Sequence, residues 1–461
     1  VPFLLKRCGF LVVSLGLLLP GESLPAQRTT NFSALEKTIQ AELSEAQIPG
    51  AAIAIVSGDR IVFSRGFGIS NAESGAPVLP EMVFRIGSVT KMFTAAALTM
   101  LAEQDKLSLD AHIGQYLKNL SPGLANVTAH QLMSHTAGLR DDAPSFGAHD
   151  PETMSRVVRA WRDEYFFTQP GRVFSYSNPG MTLAGLLAQE ASGKPFHKLL
   201  DDLLFKPLSM TSSTFEPTLA MTYPLAQGHN VTDGRAVVVR PFADNAGYWP
   251  AGFLFSSVRD LARFTIAFMN AGRIDGLAVI PTTVIAKLSG GYAPTQSGPD
   301  GSEYGYGLQS REYRGVRVVE HGGSIQGFGA LVRMVPEQQF AFIVLTNRSG
   351  GQLPKSADAA LEMFLPLHAR TEAKAAQTPI TQADLAGLPG TYAQGQNRIE
   401  IAARDGKLIL RQGATELPLQ KISDLKFAVD VGQRREFVVV RGANGRVEYL
   451  HTGLRALARQ Q

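Results

Sequence analysis

The run from Ser88 to Gln104 constrains the fold more than any other part of the chain. Met92, Phe93, Ala95, Ala96, Ala97, Leu98, Met100 and Leu101 make a helix that is apolar nearly all round. Such a helix is stable only when other elements enclose it on every side. The chain can supply that enclosure: it has 461 residues, 44% hydrophobic and 18% charged, an ordinary globular balance. Its net charge of +4, with no Lys/Arg-rich run, gives no case for a nucleic-acid partner. One cysteine excludes an internal disulfide framework and a cysteine-based zinc site.

Around this helix the patterning alternates. Asn31 to Ala46 carries Phe32, Leu35, Ile39 and Leu43 at helical spacing. Gly50 to Val56 and Arg60 to Phe67 read as strands joined by Ser57-Gly58-Asp59, a hairpin signal. Residues 110–290 alternate helical runs with Pro- and Gly-rich loops. Val316 to Val319, Gly329 to Val335 and Phe340 to Thr346 return to strand character, and Leu353 to Leu367 closes as a helix.

The two ends differ from this body. In residues 1–26, Lys6 and Arg7 precede an apolar run, Gly9 to Leu19, too short to span a bilayer comfortably, so a signal peptide cleaved after Ala26 is expected. Export to the periplasm or beyond follows, with no stable membrane span in the mature chain. Residues 27–368 form the main domain. Residues 369–382 are polar and Ala/Thr/Gln-rich and read as a linker. Residues 383–461 read as a small all-β domain, with hairpin turns at Arg404-Asp405-Gly406 and Asn444-Gly445. That β-barrel-like domain is expected to stand apart, so that a fragment ending near residue 370 folds and keeps Ser88 reactive; the alternative is that it packs over the cleft and helps select substrates.

Three short motifs carry chemistry. Ser88 and Lys91 are spaced S-x-x-K at the start of the buried helix, so both lie on one face. A lysine in a low-dielectric site loses its proton more easily and can then accept one from serine. The helix N-terminus offers free N–H groups to an oxyanion. The second motif is Tyr176-Ser177-Asn178. Tyr176 offers a phenol whose ionised form is a base if nearby cations depress its pKa, and Asn178 can orient Lys91 or a substrate amide. The third, His321-Gly322-Gly323-Ser324, directly follows the strand Val316 to Val319. Its glycines let a substrate backbone approach, and the Ser324 N–H offers a second oxyanion donor. The nine histidines have no metal-site spacing, and Walker A, Rossmann and G-x-S-x-G patterns are absent.

In this order the three motifs resemble the serine β-lactamase and penicillin-binding-protein superfamily, most closely its class C branch, which includes D-amino-acid peptidases and esterases. The likeness extends through Phe84 to Lys91, Leu132 to Leu139, Pro250-Ala251-Gly252 with Ser257 and Asp260, and Val344 to Asn347. It implies a mixed α/β fold: an antiparallel sheet flanked by helices, with a largely helical insert. It also implies Ser88 as the acylated nucleophile, and Lys91 and Tyr176 sharing base and acid duty. Asn178 would orient substrate, with His321, Gly322, Gly323 and Ser324 lining its binding edge. No cofactor or metal is implied. The expected substrates are small amides or esters, of the β-lactam or D-amino-acid peptide class, with peptidoglycan fragments among them. A carboxylesterase and a non-catalytic penicillin- or peptidoglycan-binding protein are the alternatives. The family's lysine is replaced here by His321. His321 starts from an ordinary imidazole value near 6.5, which nearby Lys91 would push further toward neutral, so carboxylate substrates are expected to bind more weakly at neutral pH than at pH 6.

Overall fold

A computed structural model describes residue 1 and residues 31–296, 301–370, 378–430 and 434–460. The expected signal peptide at 1–26 lies, beyond its first residue, outside the described residues, as do residues 371–377 of the expected linker. No helix among the described residues is long and apolar enough to cross a membrane.

The main domain is built on an eight-stranded antiparallel sheet. Its strands are β1 (Gly50–Ser57), β2 (Arg60–Gly68), β3 (Ala293–Pro294), β4 (Glu303–Tyr304), β5 (Gln309–Tyr313), β6 (Val316–Ile325), β7 (Phe328–Val335) and β8 (Phe340–Thr346). They lie in the order β2-β1-β8-β7-β6-β5-β4-β3. The central strands are apolar at nearly every position because both sheet faces are buried. Ala52, Ala54, Val332, Met334, Ile343 and Leu345 face the large helical side. Ile53, Ile55, Leu331, Val335, Phe342 and Val344 face the other side. There they meet α1 (Ser33–Glu45) and a closing helix, Pro354–Phe364. The buried Glu42 carboxylate accepts the N–H groups of Lys355 and Ser356 at 2.9 and 2.7 Å, which supplies partners for that helix's N-terminus.

On the helical side lie α2 (Thr90–Glu103), α3 (Asn178–Ser192) and α4 (Val258–Met269), with short helices and turns between them. All of α2 from Thr90 to Leu101 is buried, as its composition requires. The expected helix start differs in detail. Ser88 sits in a 3₁₀ turn, Gly87–Val89, that leads into α2.

The C-terminal domain is a nine-stranded antiparallel sheet. Its strands run β9 (Gly390–Gln394), β10 (Asn397–Arg404), β11 (Lys407–Gln412), β12 (Thr415–Pro418), β13 (Gln420–Lys421), β14 (Lys426–Asp430), β15 (Arg434–Arg441), β16 (Val447–Thr452) and β17 (Arg455–Arg459). The spatial order is β12-β11-β10-β9-β17-β16-β15-β14-β13. The two edge strands are consecutive in the chain, so the sheet curls on itself like a barrel. Ile399, Ile401, Leu408, Leu410, Phe427, Val429, Phe437 and Val439 fill the interior at every second position.

Candidate active site

The turn that carries Ser88 is fixed from three directions. Before it, Phe84 and Arg85 pair with Ser256 and Phe255. The Arg85 guanidinium is buried, donates to Asp244 at 2.6 Å and to the Ala243 carbonyl at 3.1 Å, and lies over the Phe255 ring. After it, Thr94 Oγ1 donates to the Pro250 carbonyl at 2.7 Å. Beside it runs β6. Gly87 has φ +52°, and a Cβ there would lie 2.7 Å from the Ser324 nitrogen. A Cβ on Gly323 would lie 2.0 Å from the Ile86 carbonyl oxygen. These two glycines let the Ser88 turn and the His-Gly-Gly-Ser strand approach backbone to backbone.

That strand is longer than the sequence indicates. His321 to Ser324 lie within β6 rather than after its end, because their pairing with Val332 to Gly329 on β7 continues without a break. On its other side β5 pairs with β6 only as far as Glu320. From His321 onward that edge has no β5 partner and lies against the Ser88 turn.

Lys91 is fully buried, and its Nζ lies 3.0 Å from Ser88 Oγ. Nζ also lies 2.7 Å from Asn178 Oδ1 and 2.5 Å from the Ala251 carbonyl oxygen. A neutral amine has two N–H groups and one lone pair. The two carbonyl oxygens take the N–H groups, and the lone pair is left for the Ser88 hydroxyl proton. Burial draws Lys91 from 10.5 to about 7; Asp141 opposes that shift and Arg455 adds to it.

Tyr176 behaves differently from the expectation of a depressed phenol. Burial pushes it well above the usual tyrosine value; the hydrogen bond with Ser88 works the other way but is the smaller effect. Tyr176 is therefore a protonated phenol at neutral pH, and Lys91 is the group able to start as a base. The Lys91 amine lies 4.7 Å from the centre of the Tyr176 ring.

Tyr176 and Asn178 flank the cap of α3. Ser177 accepts the Gly180 N–H at 3.1 Å, so Asn178 opens a helix rather than lying in a loop. His135, on the run Leu132 to Leu139, accepts the Ser177 N–H at Nδ1, 3.2 Å away, and packs its ring 4.4 Å from Tyr176.

His321 also departs from expectation. It is buried, its Nδ1 donates to the Gly322 carbonyl at 2.6 Å, and its Nε2 accepts from the Tyr304 hydroxyl at 2.9 Å. Burial and then Lys91 push it down to about 3, against the pull of the Gly322 bond and Glu320. It is neutral at pH 6 as at pH 8, so the expected gain of charge near pH 6 does not occur.

Several contributors have no motif in the sequence. Asp141 Oδ1 accepts the Asn178 backbone N–H at 2.7 Å and its side-chain amide at 2.9 Å. The C-terminal domain enters the site through the β16–β17 turn: the Leu454 carbonyl accepts the Tyr176 N–H at 2.8 Å, and Arg455 Nε donates to Asp141 Oδ2 at 2.6 Å. Leu454 packs with Phe174, Tyr176, Ala293 and Tyr304. A local signal marks only Asp141, which closely follows the quoted run ending at Leu139. Among the described residues no cluster of His, Cys, Asp or Glu could hold a metal ion. A separate apolar cavity of about 710 Å³, lined in part by Phe242, Trp249 and Phe255, contains none of the three motifs.

Ser88, Lys91, Tyr176 and Asn178 thus meet in one cleft, with Ser324 on its edge, and residues 35–364 match the beta-lactamase family. The chain belongs to that family. It is 26% identical over 336 residues to Protein flp of Staphylococcus aureus strain N315, a match covering 71% of this chain. That match spans 66% of Protein flp, just under two thirds of its length. It is 28% identical to the D-aminopeptidase of Gluconobacter oxydans, over 82% of this chain and 70% of that protein. Among solved structures, SurE superposes with a TM-score of 0.77 at 25% identity, covering 93% of this chain and 98% of SurE. The D-alanine carboxypeptidase AmpC from Burkholderia cenocepacia gives 0.59 at 25% identity, over 72% of this chain and 99% of that one. SurE thus covers the C-terminal domain as well, whereas the carboxypeptidase covers a share close to the main domain alone.

Proposed function

We propose that this member of the beta-lactamase family is a serine hydrolase that works through an acyl-enzyme at Ser88, on small amides or esters. The observation that carries the reading is the Lys91 amine, 3.0 Å from Ser88 Oγ and drawn to about 7 by burial. In the first step neutral Lys91 takes the hydroxyl proton as Ser88 Oγ bonds to the substrate carbonyl carbon. The carbonyl oxygen becomes an oxyanion, to which the N–H groups of Ser88 and Ser324 donate. As the bond to the leaving group breaks, that group takes a proton from the Lys91 ammonium, directly or through the Tyr176 hydroxyl. Water then attacks the ester carbonyl, its proton passes back by the same route, and Ser88 is restored.

D-amino-acid peptides are the favoured substrates, since the relatives include a D-aminopeptidase and a D-alanine carboxypeptidase. The neutral His321 adds a selection. His321, where the family's lysine would stand, carries no charge to attract a carboxylate, which favours substrates uncharged at that end, as in an aminopeptidase. The same observation supports the second reading, a carboxylesterase. Residues 1–26 support export, so the periplasm or the exterior is the proposed place of work.

A substrate panel tests these readings: a D-alanyl peptide amide, a D-alanyl-D-alanine peptide, a chromogenic cephalosporin and a short nitrophenyl ester, each on wild type and Ser88→Ala. The expected result is turnover that favours the peptide amide or the ester and is lost in Ser88→Ala. Turnover surviving in Ser88→Ala would refute the mechanism.

A further inference from the structure

We propose that Arg455, from the C-terminal domain, is a positioning residue for Lys91: it holds Asp141, which orients Asn178, which in turn holds the lysine amine beside Ser88. The proposal rests on the acyl-enzyme reading above.

The chain of contacts is continuous, and each link uses a different atom. Arg455 Nε donates to Asp141 Oδ2 at 2.6 Å. Asp141 Oδ1 is left for Asn178, whose backbone N–H and side-chain amide both donate to it. With its amide nitrogen committed there, Asn178 must turn Oδ1 toward Lys91, 2.7 Å away. An Asn178 flipped the other way would present N–H groups to the amine and displace it from Ser88. Asp141 is therefore shared between the domains, with one oxygen serving each. Its side chain is 7% exposed and that of Arg455 is 38% exposed.

The neighbouring segment is tied to the same hairpin and to β9. His451 Nε2 donates to the Phe174 carbonyl at 2.9 Å. Ser175 Oγ accepts from Gln394 at 2.9 Å and from the Ala456 N–H at 3.2 Å. Tyr176 N–H donates to the Leu454 carbonyl. Each residue from Phe174 to Tyr176 thus has a bond to the C-terminal domain, so the domain forms part of the catalytic wall.

Charge provides a readout that a merely structural contact would not move. Lys91 is faced by Asp141 and Arg455, by the phenol of Tyr176, and by His135 and His321, which burial and then the lysine charge hold neutral. Asp141 favours the ammonium form and Arg455 disfavours it. Removing Arg455 moves the acid limb of the rate profile to higher pH, and removing the Asp141 charge moves it lower.

The test uses the full chain and a neutral nitrophenyl ester, with kcat and KM measured from pH 5 to 9. Arg455→Ala should lower kcat about 10- to 100-fold, the scale on which misplacing a catalytic group acts, with a smaller change in KM. Its acid limb should rise by roughly half a pH unit or more. Asp141→Asn should lower kcat and shift the limb down, the double variant should return the limb toward wild type, and Arg455→Lys should restore part of it. Arg172→Ala, which breaks the separate interdomain pair with Glu448, should leave the limb unmoved. An unshifted limb in Arg455→Ala, or an equal shift in Arg172→Ala, overturns the proposal. If Arg455→Ala fails to fold, Asp141→Asn and Arg455→Lys decide by the sign of their shifts. A wild-type protein that neither turns over the ester nor takes a serine-directed label at Ser88 overturns the acyl-enzyme reading instead.

Discussion

The ionisation of Lys91 can be perturbed by pH alone. With its ammonium drawn to about 7, half of the enzyme holds a free amine at that pH, and each unit below removes about tenfold of it. An ordinary lysine near 10.5 would hold its amine free in only about one molecule in 3,000 at pH 7. Burial thus raises the competent fraction by about three orders of magnitude at neutrality. The assay is kcat/KM for an uncharged ester, corrected for spontaneous hydrolysis, from pH 5 to 9. The profile should rise with unit slope from pH 5, bend near 7 and stay level to 9, because Tyr176 keeps its proton through that range. Tyr176→Phe should lower the plateau without moving the bend. A profile already level at pH 5 would assign the base to a carboxylate, and one still rising at pH 9 would mean that Lys91 is solvated. Either result refutes the reasoning.

Three further outcomes follow from the same contacts. Lys91→Met should be inactive yet more heat-stable at pH 7 than wild type. The folded protein binds the lysine proton less well than the unfolded chain, so wild-type stability from this group rises as pH climbs from about 7 toward 10.5, and the variant should lose that slope; thermal melts at pH 6, 7 and 9 check it. Gly323→Ala should stay folded but acylate at least tenfold more slowly, because its Cβ would force β6 away from Ile86 and the oxyanion donors apart; labelling rates beside circular dichroism check it. For an anionic substrate, KM between pH 6 and 8 should show no step from His321, and His321→Lys should lower KM for that substrate while leaving a neutral ester's KM nearly unchanged.

What was legible in the sequence follows physical signal. β1 and β8 stand out because both their faces are buried and nearly every residue is apolar. Ser88 and Lys91 stand out because a lysine in an otherwise apolar helix demands an explanation. The extension of β6 through Gly322 and Gly323 was not legible: glycines read as a strand end, whereas here Gly323 admits the Ser88 turn. Ionisation was not legible either. Tyr176 and His321 take their states from burial and from neighbours such as Ser88 and Lys91, which no local spacing announces. Arg455 lies 314 residues from Asp141, in a domain whose pattern reports only a barrel interior. Its place near Ser88 and Lys91 is a product of how the two domains pack.

The central claim is that Ser88 becomes acylated with Lys91 as its base. Intact-protein mass spectrometry with peptide mapping, after brief exposure to a fluorophosphonate or a slowly hydrolysed penicillin, tests it directly. The account predicts one adduct, on Ser88, formed faster at pH 8 than at pH 6, nearly absent in Lys91→Met and wholly absent in Ser88→Ala. An adduct on another residue, or one on Ser88 that forms equally fast in Lys91→Met, would contradict it.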